Sequence, residues 1–479
     1  MAHPLSSTIP ASHPAGQAKK HPGAVDPPRL NTPPASPPLR ESIVAKLGFY
    51  FLLLYLFLYL SRVLEMIMPS ARLTMVLNLL FLFASVLTMS IINITRTRSG
   101  LFMIGFILWI AACVPFSVWK GGSVDVVIQS GRSLLLMACI IGLASTSKRC
   151  MQLMYTMGFA MAVASGTSFV SGERSGAGRL ALEGGTFGDP NTYSLYLLMG
   201  MPFLWLKAKN SPNVFQKLLP YACVVPVLAT SLGTGSRSGL ITLIVMLLLL
   251  FWNLPLGKKA VFALSVSILA VGSTFFLSDY LLMRYTTFFS TDEEALQSEN
   301  YEQLSGADVS SAKARRYLLQ RSIELTVRNP IFGVGPGMFA IAEADDAEAK
   351  GYRGAWHETH NTYTQVSSEA GLPGLFFYAA ALITGWRSLS KIRKTRFSLE
   401  SQPVRHAAMY LQISYSGILM GVFFLSLAYT GLLFILTGLA AALARAVHLE
   451  LLQGTLTLEK PVHVELYPRP KIPVVAARS

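Results

Sequence analysis

Charge is what this chain has least of. Only 14% of its 479 residues are Asp, Glu, Lys or Arg, whereas soluble globular chains carry about 25%. Hydrophobic residues make up 52% and the mean hydropathy is +0.47, which excludes an ordinary soluble domain. Cysteine is scarce too: Cys113, Cys139 and Cys223 lie in apolar runs and Cys150 in a basic turn, so no disulfide framework is visible. Carboxylates are missing from the middle of every apolar run, which counts against a proton-coupled transporter. Phosphate loops are missing as well. GVGPG at 333–337 has neither the Gly-x-Gly-x-x-Gly nor the Walker spacing and is expected to be a tight turn.

What the chain does have is long apolar runs. Segments of about 20 apolar residues cross a bilayer as helices, and twelve are expected near 45–64, 72–93, 101–119, 125–145, 151–169, 191–207, 218–234, 238–256, 260–278, 372–389, 406–426 and 428–446. The net charge of +15 is not a nucleic-acid signal, because Lys and Arg fall mainly in the short turns between these runs. Turns on one side carry 15 of them, among them Arg96, Lys148, Lys207, Lys258 and Lys391, and turns on the other carry 6. The positive-inside rule therefore places both termini in the cytoplasm and the long 279–371 segment outside.

The expected fold is an all-α polytopic membrane protein of about twelve transmembrane helices with one long, partly helical outer loop. Residues 1–40 hold ten prolines and almost no large apolar side chains, and form a disordered cytoplasmic tail. Helices one to nine occupy 41–278, the outer loop 279–371, helices ten to twelve 372–446, and a second cytoplasmic tail 447–479. Within the loop, SSAKARRYLLQRSIELTVRNP predicts a helix capped by Ser310 or Ser311. Leu319, Ile323 and Val327 would form its apolar side, Lys313, Arg316 and Arg321 its other side, and Pro330 its stop.

Three stretches bear polar groups that chemistry can use. WHETHNTYTQVSSEAGLPG, from Trp356, holds the histidine pair His357 and His360. Its His-Glu-Thr-His spacing is one residue short of the zinc-binding helix motif, and no further His or Cys in the outer loop completes a metal shell. An imidazole beside Asn361 at the outer face instead suits a base or a hydrogen-bond donor. GTGSRSG at 233–239 places Arg237 between small residues that admit a ligand, and a guanidinium binds phosphate bidentately; the plain alternative is an interface anchor. In GGTFGDPNTYSLYLL at 184–198, Asp189 before Pro190 is the signature of a helix start.

Taken in order, TGSRSG, the Arg-rich helix leading to NPIFGVGPGMF, and HNTYTQVSSEAGLPGLFFY resemble the O-antigen ligase and polymerase superfamily of bacterial envelope enzymes, over residues about 185–390. The resemblance implies a GT-C-like inner-membrane enzyme. Its site faces the periplasm and uses no metal, cofactor or nucleotide sugar. Such enzymes move a glycan from undecaprenyl diphosphate to an acceptor hydroxyl. The acceptor is the lipid A core in a ligase of lipopolysaccharide synthesis, or a growing O-antigen, capsule or exopolysaccharide chain in a polymerase. Related enzymes glycosylate proteins, and a glycan flippase is the rival from another class. The implied partners are the lipid-linked donor, the acceptor glycan, membrane lipids and other polysaccharide assembly proteins, but no nucleic acid. By this resemblance Arg237, Arg315 and His360 are catalytic, with Arg316 the close alternative to Arg315. Arg237, Arg315, Arg316 and Asn361 bind diphosphate or glycan, and His357 stands outside the shared pattern.

Overall fold

The computed structural model describes residues 42–68, 72–171, 178–182, 187–275, 277–286, 307–351 and 354–459. The expected tail at 1–40, residues 287–306 of the long connecting segment and everything past 459 lie outside the described residues. The first ten helices are α1 (Ile43–Ser61), α2 (Val63–Ile67), α3 (Leu73–Leu87), α4 (Arg98–Cys113), α5 (Lys120–Leu143), α6 (Ser147–Ser171), α7 (Pro190–Asn210), α8 (Val214–Gly233), α9 (Arg237–Asn253) and α10 (Leu256–Thr274). The connecting segment contributes α11 (Asp279–Thr286), α12 (Ala307–Arg328) and α13 (Phe339–Ala349). The chain closes with α14 (Thr362–Lys394), α15 (Gln402–Gly421) and α16 (Gly431–Leu452).

Among the described residues, nine helices are long and apolar enough to cross a bilayer, or ten if α3 and the 3₁₀ helix Ser90–Arg96, bent by 73°, form one broken span. The protein is therefore an all-α polytopic membrane protein. All twelve expected runs fall on helices, but two fall short of a span by length or composition. α9 has only 17 residues. α7 has 21, yet begins with the polar series Asn191, Thr192, Tyr193 and Ser194. The reason for α7 is its position, since it is buried without a break from Thr192 to Leu204 and packs against α6, α8, α9 and α15. A helix enclosed by protein has no lipid-facing side that must be apolar. α16 is the other central helix, buried from Leu432 to Leu443. α10 is the opposite case, with no buried residue.

Lipid tails are as apolar as leucine, so contact between these helices gains little from hydrophobicity and relies on close packing and hydrogen bonds. Small hydroxyls supply several such bonds. Ser165 Oγ lies 2.7 Å from Thr230 Oγ1 between α6 and α8, Ser194 Oγ 2.8 Å from Ser231 Oγ between α7 and α8, and Ser414 Oγ donates to Met199 O at 2.8 Å between α15 and α7.

The connecting segment differs from its expectation in detail. α12 begins at Ala307, so Ser310 and Ser311 lie inside it instead of capping it. Its buried side carries Leu318, Ser322 and Leu325, while Ile323 and Val327 are 51% and 74% exposed. Leu318 and Leu325 join Val334, Met338, Phe339 and Ala342 in a small core of their own. Arg321, expected on the open side, is buried in an ion-pair network with Glu324 and Asp346 that also holds Arg328 and Lys350. Leucines occur on both sides of this helix, so the pattern alone is ambiguous; α13, which brings Asp346, decides which side turns inward.

GVGPG is a turn bound to α14: Val334 N donates to Ser368 O, Gly335 N to Glu369 O and Gly337 N to Glu369 Oε2 at 2.9–3.0 Å. α14 itself starts ten residues before the expected span and breaks at Gly371, whose φ of 69° and ψ of −176° belong to a region essentially restricted to glycine. A Cβ there would lie 2.1 Å from Ile331 O. At the other end, the expected tail from 447 continues as α16 to Leu452 before an antiparallel bridge joins Leu458 to Phe397.

Candidate functional site

Three helix starts position Asp189, Arg237 and Asn361. Asp189 caps α7, accepting from Asn191 N at 3.3 Å and from Thr192 N at 2.9 Å. Ser236 caps α9, its Oγ accepting from Gly239 N at 3.0 Å, and puts Arg237 at the first helical position. A cation there opposes the positive end of the helix dipole, which is a local mismatch in the fold. With an anion bound, the same arrangement becomes favourable, because backbone N–H groups and guanidinium then act on one negative charge. Asn361 caps α14 through Oδ1, which accepts from Tyr363 N at 2.9 Å and Thr364 N at 3.1 Å.

His360, one residue before that cap, is held left-handed at φ 53°. Such backbone costs about 1–2 kcal/mol outside glycine and persists only where neighbours enforce it. The enforcing neighbour is Ser426, in the link between α15 and α16. His360 N donates to Ser426 Oγ at 2.9 Å, and Thr359 Oγ1 lies 3.0 Å from the same oxygen. Thr362 ties the link down further, donating through Oγ1 to Leu425 O at 2.6 Å and accepting from Leu427 N at 3.0 Å. The imidazole is pushed down to about 4, chiefly by burial, then by the Arg315 guanidinium and His357, with Asp189 acting the other way. His360 is thus neutral near pH 7, the form that can accept a proton.

The sequence-predicted residues are placed separately: Arg315 acts electrostatically on His360, and Arg237 is bonded to Arg284. Arg315 on α12 is half-buried and acts on His360, whereas Arg316 beside it is solvent-exposed. Arg237 donates through Nε to Arg284 O at 3.2 Å. Asn361 is only 3% exposed, and its oxygen is committed to the cap, which fixes the backbone next to His360. The His357 and His360 rings are 6.4 Å apart, and among the described residues no group of three His, Cys, Asp or Glu is placed to hold a metal ion.

Sequence reasoning missed Arg179, Arg284 and Ser426. Arg179 donates through Nε to Thr234 O at 2.7 Å and through Nη2 to Asn191 Oδ1 at 2.8 Å. Burial and the nearby Arg284 push it down to about 10. Arg284 did leave a trace in the sequence, being the only Lys or Arg between Lys259 and Lys313. Ser426 left none.

Residues 222–379, about one third of the chain, match the family model described as O-antigen ligase. The matched segment includes Arg237, Arg284, Arg315, Arg316, His360 and Asn361, and leaves Arg179, Asp189 and Ser426 outside. A comparison with curated proteins finds no match. It is in this segment, with its arginines and its histidine, that the chain is similar to the O-antigen ligase family.

Proposed function

We propose that this protein transfers a preassembled glycan from undecaprenyl diphosphate to an acceptor hydroxyl, with the lipid A core as acceptor. The observation that carries the reading is a neutral His360, fixed by Ser426 beside the cationic Arg315, within a segment of the O-antigen ligase family. In the reaction the acceptor oxygen attacks C1 of the donor sugar and its proton passes to His360. The C1–oxygen bond to the diphosphate breaks, with inversion at C1. Negative charge grows on the departing diphosphate, and Arg237 and Arg315 stabilise it more in the transition state than in the ground state. Arg316, at the solvent edge, meets the glycan. The donor diphosphate stores the energy of transfer, so no nucleotide is consumed.

The reading places the protein in the bacterial inner membrane with both termini in the cytoplasm and the site facing the periplasm. The domain division at 1–40, 41–278, 279–371, 372–446 and 447–479 follows from that orientation. The test is a gel of surface and carrier-linked glycans from a strain lacking the gene, complemented with wild type or His360→Ala. Full-length polymer held on undecaprenyl diphosphate above a bare core supports the ligase. Single repeats accumulating while polymer disappears identifies a polymerase instead. Complementation by His360→Ala at wild-type levels sinks the enzyme reading and favours a flippase.

A further inference from the structure

The turn that carries Arg237 is held by its backbone carbonyls, one after another. Leu232 O accepts from Tyr285 Oη at 2.8 Å and Gly233 O from Leu180 N at 3.1 Å. Thr234 O accepts from Arg179 Nε at 2.7 Å and Gly235 O from Arg284 Nε at 2.8 Å. The donors come from two short segments, 179–180 and 284–285, on either side of the turn in sequence. Four successive carbonyls at the negative end of α8 are thus satisfied, the last two of them by guanidiniums, a placement that the helix dipole favours. The turn is also tight against α11. A Cβ on Gly235, whose φ is 59°, would lie 2.8 Å from Leu281 Cδ2 and 3.2 Å from Arg284 Cδ.

Arg284 engages this turn twice. Its guanidinium holds Gly235 O, and its own backbone carbonyl accepts from Arg237 Nε. These two bonds close a ring through the backbone from Gly235 to Arg237 and both side chains. Arg284 is 7% exposed, so the ring is fixed by packing as well as by bonding. Anchoring Nε sets the plane of the Arg237 guanidinium, and the plane decides whether its fork meets a diphosphate squarely.

We propose that Arg284 is a positioning residue for Arg237, acting through the Gly235 carbonyl, with Arg179 bracing the same turn at Thr234. The inference rests on the transferase reading above and deepens it. Arg284 orients the residue that meets the donor diphosphate and does not meet the diphosphate itself. Misplacing a reacting group by about 1 Å can cost about 100-fold in rate, so losing this brace has a measurable price in turnover.

The test is a double-mutant cycle on the full chain in lipid nanodiscs, with undecaprenyl-diphosphate-linked glycan as donor. Arg284→Met keeps the packed stem and removes the donors. It is expected to lower kcat by about 10- to 100-fold while donor KM changes less than about 2-fold. Arg237→Ala is expected to lose more, and the double variant no more than Arg237→Ala alone, because the two act as one unit. Multiplying losses with a raised donor KM would make Arg284 a diphosphate ligand and overturn the proposal, as would wild-type kcat in Arg284→Met. If Arg284→Met does not fold, Arg284→Lys keeps charge and stem but carries its ammonium past the Gly235 carbonyl. The same kcat loss is then expected, and unchanged kcat overturns the inference. If Arg237→Ala transfers normally, the site reading itself fails, a result distinct from either outcome at Arg284.

Discussion

The sharpest test of the site is the titration of His360. An ordinary histidine titrates near 6.5, and the fold pushes this one down to about 4. At pH 5 a group titrating at about 4 is roughly nine-tenths neutral, and one at 6.5 only roughly 3% neutral. A base that must be neutral therefore predicts a wild-type transfer rate that holds from pH 8 down to about 5 and falls below. Arg315→Gln removes the second-largest cause of the shift, so the fall in rate should move upward into the interval between 4 and 6.5. The lowered absolute rate of that variant does not matter if each profile is normalised to its plateau. His357→Gln should move the break less, since His357 is the smaller influence. The same shift bears on stability. As pH falls, the unfolded chain takes up this proton before the folded one, so stability is lost from about 6.5 down to about 4 and is level below. At about 1.4 kcal/mol per unit the full effect is about 3 kcal/mol, and solvent on the open side of the ring screens it to about 1–2. The assay is transfer in proteoliposomes from pH 4.5 to 8.5. A wild-type break near 6.5, or identical normalised profiles in wild type and Arg315→Gln, would refute the placement of His360 beside Arg315.

Three further substitutions check how the site is built. Gly371→Ala puts a Cβ 2.1 Å from Ile331 O on glycine-only backbone; it should cost at least about 3 kcal/mol and show as loss of folded protein on detergent extraction. Glu343 is fully buried and accepts from Tyr317 Oη at 2.8 Å and Ala355 N at 2.9 Å. Glu343→Ala should loosen the connecting segment by about 1–3 kcal/mol, seen as faster proteolysis within 307–361 while the membrane helices stay intact. Asn361→Ala removes the cap of α14 and should cost about 1 kcal/mol in thermal stability, with transfer reduced but not abolished; an inactive yet fully stable variant would mean that Asn361 touches substrate after all.

Much of the fold was legible because lipid imposes a simple requirement. Each apolar run long enough to span had to be a helix, and the twelve runs fall on helices. The exceptions to the span count follow from what the helix touches. α7 is wrapped by protein, so Asn191 through Ser194 need not be apolar, and no window average can detect that. The register of α12 failed for a related reason: Leu318, Leu319 and Leu325 suit two sides of one helix, and the choice depends on Asp346, brought by another. The site divides similarly. Arg237 and His360 sit in local patterns of small or capping residues, so short motifs single them out as candidates. Arg284 and Ser426 matter because of partners 49 and 66 residues away, and spacing along a chain carries no trace of that.

The bare helix α10 gives this architecture a mechanical character. It follows α9, which begins at Arg237, and leads into α11, which ends two residues beyond Arg284. The clasp between those arginines therefore ties off a loop whose middle is gripped by lipid and by little else. Bilayer thickness acts on such a helix through tilt, at a fraction of a kcal/mol per Å of mismatch. Along the chain α10 is joined to Arg284 through α11 and to Arg237 through α9. Bilayer thickness is thus expected to reach the arginine turn through α10, and transfer should differ between bilayers of different thickness.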